Sequence, residues 1–177
     1  MSHIGIAFSG GPSPADIVEC VKLAESLGYE SAWVAEAHGG DQFAILAACA
    51  AQTTTIRLGT AISSVFVRSV PTIAMAAATV DDISGGRFIL GLGSSQKGSG
   101  RTRAWHELRQ TDYQSERKCR YCQDFTARWR GQLRRRNRTI EQFDLWFSPR
   151  RSDIPIYLSG LFPKMVSVLV RLPTASS

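Results

Sequence analysis

Between residues 97 and 138 the chain has no valine and no isoleucine, and its only leucines there are Leu108 and Leu133. A helix that covers a sheet needs apolar residues at i, i+3, i+4 and i+7, so no such helix is expected in this stretch. Other absences narrow the field further. No segment approaches the ~20 continuous apolar residues of a membrane helix. The N-terminus "MSHIGIAFSGG" lacks the basic region and long apolar run of a signal peptide. Cysteines number only 4 in 177 residues. Cys20 and Cys49 fall in apolar helical patterns and read as reduced core residues. "CRYC" brings Cys119 and Cys122 together, but a structural zinc needs four ligands and His106 is the one further candidate nearby, so no metal is expected. These absences lead us to expect a soluble cytoplasmic protein. With 44% hydrophobic residues, the chain has enough apolar surface for one domain with a core of its own.

What is present is unevenly spread. Residues 97–138 hold 13 Lys and Arg against 4 Asp and Glu, while the remainder of the chain is net negative. The whole-chain net charge of +6 therefore belongs to one segment. "RWRGQLRRRNR" in it is able to grip phosphates, with Trp129 and Tyr121 available for stacking on bases. A solvated basic segment is the simpler reading, and nucleic-acid binding is not expected to be the main activity.

Residues 1–95 have a different character: strand and helix signals alternate. "HIGIAFS" is an apolar run closed by a Gly-Gly-Pro break. Ser13 then offers an N-cap, Pro14 takes the first helical position, and Asp16 lies three residues after the cap. The helix "ADIVECVKLAESLGY" puts Ile17, Val21, Ala24 and Leu27/Gly28 on one face, and Gly28 ends it. "SAWVAEA" is a second strand and "DQFAILAACAAQT" an apolar helix. "IRLGTAISSVF" is a third strand. Ser69 and Pro71 open the helix "PTIAMAAATVDDISGG", which Gly85 and Gly86 close, and "RFILGLGSS" is a fourth strand. Such continuously apolar strands are buried on both faces, as in a parallel sheet covered by helices. A doubly wound sheet and a (β/α) barrel both fit.

In either architecture function gathers at the C-terminal ends of the strands. Those ends are Ser9–Gly11, Glu36–Gly40, Ala61–Arg68 and Gly93–Ser95. "LGLGSS" only half fits a dinucleotide fingerprint, because Gln96 stands at the third glycine position. Glu36 and His38 lie two apart at one strand end, where a carboxylate and an imidazole can share proton transfer or contact a cofactor. The alternative is that Glu36 pairs with a nearby arginine and His38 is a surface loop residue. In "GTAISSVFVRS" two hydroxyl residues interrupt the strand end before Arg68. Either the strand is bulged beside a solvated arginine, or the bulge brings backbone to a ligand.

These residues resemble the bacterial-luciferase-like family of flavin- and deazaflavin-dependent oxidoreductases. The resemblance rests on "LAESLGYESAWVAEAHGGD", "IRLGTAISSVFVRSVPTIAMAAATVDDISGGRFILGLGSS" and "FDLWFSPRRSDIPIYLSGLFPKM". It is nearest the branch of methylenetetrahydromethanopterin reductase-like proteins that use coenzyme F420. The resemblance implies a (β/α)8 TIM-barrel type fold with an isoalloxazine-type ring lying across the strand ends. It implies F420 as cofactor, with FMN as the alternative, and hydride exchange with a small-molecule substrate. Glu36 and His38 then stand beside the ring as the catalytic candidates. Ala61, Ile62 and Ser63 match the place where relatives carry a bulged strand with a non-prolyl cis peptide that backs the ring. Gly93, Ser94 and Ser95 match a cofactor-contacting strand end. Ser9 falls where some relatives place a proton-donating carboxylate, and "AFSGG" has none.

The likeness covers residues 3–95 and about 142–165. We therefore expect a single partial barrel over 1–177: well-patterned βα units over 1–95, a basic irregular segment over 97–141, and a resumed barrel-like segment over 142–165 with a strand near 154–160. That makes about five strands of eight. Loss and return of family likeness is what out-of-frame reading or truncation produces, with a chain of impaired activity as the consequence; a true insertion is the competing reading. A half-open barrel also exposes strand edges, which invites pairing with another chain, a homodimer included. A non-catalytic fragment or basic module with weak nucleic-acid affinity through 97–138 is the reading from another class.

Overall fold

A computed structural model describes residues 4–36, 39–65, 67–93, 130–134 and 139–159. In chain order the elements are β1 (Gly5–Phe8), α1 (Pro14–Ser26), β2 (Ser31–Val34), α2 (Gln42–Gln52), β3 (Arg57–Thr60), β4 (Ser63–Ser64), α3 (Val70–Ile83), β5 (Phe88–Gly93), β6 (Arg130–Arg134), β7 (Thr139–Asp144) and β8 (Ile156–Leu158). β1, β2, β3 and β5 lie side by side, and β4 and β8 also pair with β5. Every pair in this sheet is parallel. β6 and β7 form a separate antiparallel ladder. This ladder occupies part of the stretch expected to be irregular; residues 97–129 and 135–138 lie outside the described residues.

β3 and β4 behave as one barrel strand with a break. β3 pairs with the first half of β5, Leu58 opposite Phe88 and Gly59 opposite Ile89. β4 pairs with the second half, Ser63 opposite Leu92 and Ser64 opposite Gly93. Between them the Ala61–Ile62 peptide is cis. Just before the break, the Thr60 hydroxyl accepts from the Gly91 N–H and donates to the Gly91 carbonyl, both at 2.8 Å. The approach requires glycine: a Cβ on Gly91 would sit 1.9 Å from the Thr60 carbonyl oxygen. Counting β3 and β4 as one gives five strand positions among the described residues, a partial (β/α) barrel.

The helices follow from their caps. Ser13 and Asp16 form a reciprocal capping box on α1, with Pro14 in its first turn. Asp41 caps α2 by accepting from Phe43 and Ala44. Ser69 caps α3. The buried stripe of α1 is Ile17, Val18, Val21 and Ala24. Two expectations fail here. Leu27 lies past the last helical turn and is exposed, and Cys20 falls off the stripe and is exposed too. Cys49 is in the core as expected, and burial pushes its thiol up to about 11. Leu58, Phe88, Leu90 and Leu92 are fully buried against the helices, with the rings of Phe43 and Phe88 6.1 Å apart.

On the other face of the sheet an aromatic pair spans the strands. Trp33 on β2 lies across Gly59 on β3, where a Cβ would meet the indole at 2.4 Å. Its ring stacks on Tyr157 of β8, centroids 5.9 Å apart. Residues 142–159 are tied on by Arg151. Its Nη2 donates to Asp81 at 2.8 Å and to the Phe88 carbonyl at 2.8 Å, and the Asp81 side chain is only 1% exposed.

The opposite end of the sheet, where the strands begin, is held by two unlike charges gripping one loop. Glu25 Oε1 accepts from the backbone N–H groups of Thr54, Thr55 and Ile56 at 2.8, 2.6 and 2.9 Å. Arg87 donates to the carbonyls of Ala50, Thr53, Ile56 and Ser84.

Candidate functional site

The strand ends gather around one carboxylate. Glu36 follows β2, and its Oε2 accepts from the Ser64 N–H at 2.7 Å. Its Oε1 accepts from Arg68 Nε at 2.5 Å. The same guanidinium reaches Asp41 Oδ2 through Nη2, also at 2.5 Å, and lies 5.1 Å above the Phe43 ring. Side-chain exposures of 18% for Arg68 and 11% for Glu36 put this pair largely out of water. The Glu36 backbone N–H donates to the Ile62 carbonyl at 3.4 Å. So Glu36 grips the β3–β4 bulge from both its backbone and its side chain.

The charges support one another. Burial works against the Arg68 cation, but its hydrogen bonds to Asp41 and Glu36 and their negative charges outweigh that and raise its pKa. Burial likewise works against the Asp41 carboxylate. Its bond to Arg68 and the N–H groups at the start of α2 reverse the balance and hold it below the ordinary carboxylate range. Asp41 therefore does two tasks, one oxygen capping a helix and the other holding Arg68.

Around this network the rim is small and open. Gly10 and Gly11 after β1 have φ of 129° and 96°, and a Cβ on either would meet nothing within 4 Å. Ala61 is exposed and Ile62 half-buried. At Gly93 a Cβ would crowd Ile62 Cγ1 at 3.0 Å and Ser159 Cβ at 3.1 Å. Ser9 is exposed beside Gly10. Ser63 differs from its neighbours. It is fully buried, pairs in register with Leu92, and its hydroxyl has no hydrogen-bond partner. Gln42, at the start of α2, is equally buried with both amide atoms unpartnered.

The structure thus brings together Glu36, Ile62 and the Ser63–Ser64 bulge, with Gly93 packed behind. Ala37, His38, Ser94 and Ser95 lie outside the described residues, as do His106, Cys119, Tyr121, Cys122 and Trp129. Sequence reasoning missed Asp41 and left Arg68 solvated in one of two readings of the bulge. An Asp directly before an apolar helix signals a cap, but nothing in spacing shows that its second oxygen meets an arginine 27 residues on. Among the described residues no group of three or more His, Cys, Asp and Glu is placed to hold a metal ion. No helix there is long and apolar enough to cross a membrane.

The model of the luciferase-like monooxygenase family matches residues 2–172. The chain belongs to this family. The matched range runs through the basic segment as well as the patterned units on either side. A Mycobacterium tuberculosis protein assigned as a coenzyme F420-dependent oxidoreductase is 40% identical over 90 residues, 51% of this chain and 26% of that one. The 5,10-methylenetetrahydromethanopterin reductase of Methanolobus tindarius is 27% identical over 172 residues, 93% of this chain and 50% of the reductase. Among solved structures, the coenzyme F420-dependent tetrahydromethanopterin reductase from Methanopyrus kandleri superposes with a TM-score of 0.78 at 22% identity, covering 96% of this chain and 53% of that one. This last likeness carries the fold. The chain spans about half the length of the reductases it matches. Family membership and superposition agree with the partial parallel barrel.

Proposed function

We propose that this luciferase-like chain binds the ring of coenzyme F420 at the C-terminal ends of β1, β2, β3/β4 and β5 and exchanges hydride with a small organic substrate. The observation that carries the reading is the β3–β4 bulge, held by Glu36 at the mouth of a parallel barrel. The names of the relatives support F420 over FMN. When bound, the deazaflavin supplies hydride chemistry at C5, and FMN in its place would supply it at N5.

The residues present fit a flat ring. Gly10 and Gly11 leave room at the first strand end. Ala61 and Ile62 offer small aliphatic surface at the bulge, and Gly93 lets Ile62 sit close to β5. Glu36 and His38 are the residues we place beside the ring. Ser9, Ala61, Ile62, Ser63, Gly93, Ser94 and Ser95 are those we place around it. In this reading Ile62 backs the ring and excludes water from one side, and Glu36 fixes the backbone that carries Ile62.

The test is a fluorescence titration of the purified chain with F420 and FMN side by side. Saturable binding with F420 preferred is expected. A chain that is folded by circular dichroism and binds neither overturns the reading, and preference for FMN overturns the choice of cofactor.

A further inference from the structure

The geometry points to Arg68 as a positioning residue: its guanidinium fixes the Glu36 carboxylate and, through it, the backbone of the β3–β4 bulge. Its consequence for ligand binding rests on the ring reading above; its structural content does not.

One side chain joins two connections of the sheet. Arg68 stands in the β4–α3 connection, and its own N–H donates to the Ser64 carbonyl at 3.4 Å. Its Nε holds Glu36, which belongs to the β2–α2 loop. Its Nη2 holds Asp41, the cap of α2. Phe43, in the first turn of α2, lies beneath the guanidinium. A planar fork with separate donors serves two carboxylates at once, which an ammonium does poorly.

Glu36 is the link to the bulge. One oxygen is taken by Arg68, and the other accepts from Ser64, the second residue of β4. Without the guanidinium, a carboxylate only 11% exposed would be left without its cation. A buried charge without its partner draws in water or rotates outward. Either response releases the Ser64 N–H. The bulge then keeps its ladder with β5, in which Val65 N–H meets the Gly93 carbonyl at 3.1 Å, and the long Glu36 N–H to Ile62 contact, but loses the carboxylate that ties Ser64 to the β2–α2 loop. Arg68 itself need not touch a ligand for this to matter, since Ile62 and Ser63 are carried by the backbone it fixes.

The experiment compares wild type, Arg68→Gln, Arg68→Lys and Glu36→Gln by amide hydrogen exchange without ligand, and by F420 titration. In Arg68→Gln, exchange at the Ser64 amide should rise by about tenfold or more, the effect of losing one charge-assisted bond. Exchange in β1 and β2 should not change. The F420 dissociation constant should rise by a similar factor, and Arg68→Lys should recover part of it. Unchanged Ser64 exchange in Arg68→Gln overturns the proposal whatever the ring does. Raised exchange with unchanged F420 affinity overturns the link to the ring site. If wild type binds no ring, the functional reading fails while exchange still decides the positioning role. Should Arg68→Gln not fold, Arg68→Lys and Glu36→Gln decide it by the same two readouts.

Discussion

The two ends of this sheet use the same kinds of side chain in opposite ways. Where the strands begin, Glu25 and Arg87 each spend most of their hydrogen bonds on backbone groups: three N–H groups for Glu25, and the carbonyls of Ala50, Thr53, Ile56 and Ser84 for Arg87, with one threonine hydroxyl apiece. Where the strands end, Glu36 and Asp41 share one guanidinium, that of Arg68, and each gives its other oxygen to backbone N–H groups, those of Ser64 and of the first turn of α2. The first arrangement locks a loop. The second holds several loops through a few shared contacts, so one substitution there shifts all of them. In barrels of this type the first end serves stability and the second carries function.

The sharpest way to break the comparison is to damage the joint between the ends. Gly91→Ala puts a Cβ 1.9 Å from a backbone oxygen, which no side-chain rotation relieves. It should cost about 3 kcal/mol or more and abolish any ring binding, as seen in melting and titration together. Next in size is Arg151→Met, which strips the partner from an Asp81 side chain only 1% exposed. A loss of about 3 kcal/mol is expected with protection lost first in β8, read by hydrogen exchange.

The smallest effect is one that acid removes. Burial opposes the Glu25 charge, but the N–H groups of Ile56, Thr55 and Thr54 with the Thr55 hydroxyl outweigh it and lower its pKa from 4.5 to about 2. A carboxyl depressed on folding contributes stability that is fully present above its unfolded value and fades as pH falls through the folded one. The melting difference between wild type and Glu25→Gln should therefore be widest above pH 4.5 and close as pH approaches 2. A difference independent of pH would contradict the assignment.

Much of this was legible in the sequence, for reasons that differ by region. Ser13, Asp16, Pro14 and Gly28 announce α1 because capping is local chemistry. The apolar runs of β3 and β5 announce a parallel sheet because both their faces are covered. "IRLGTAISSVF" alone reads as one strand bulged at its end, and the cis bond at Ala61–Ile62 is readable only through family resemblance. The pairing of Glu36 was open in the sequence, with a nearby arginine as one of two readings. Arg68 supplies that arginine, 32 residues away. The role of Asp41 and the Trp33–Tyr157 stack across Gly59 were not legible, because they depend on strand order and register rather than spacing. Residues 130–134 and 139–144 differ from the expected irregular segment for another reason: they pair with each other in an antiparallel ladder, which neither helical nor barrel spacing announces.

The central claim is that the two ends do different work, and the direct measurement is a crossed pair of variants. Arg87→Met and Arg68→Gln are each assayed for melting temperature and F420 affinity. Arg87→Met should lower stability by about 2–3 kcal/mol, since it orphans buried carbonyls, and leave affinity unchanged once corrected for the folded fraction. Arg68→Gln should weaken F420 binding by about tenfold after the same correction for the folded fraction, beyond what its cost in stability explains. If both variants move stability and affinity in proportion, the ends are not distinct and the account is wrong.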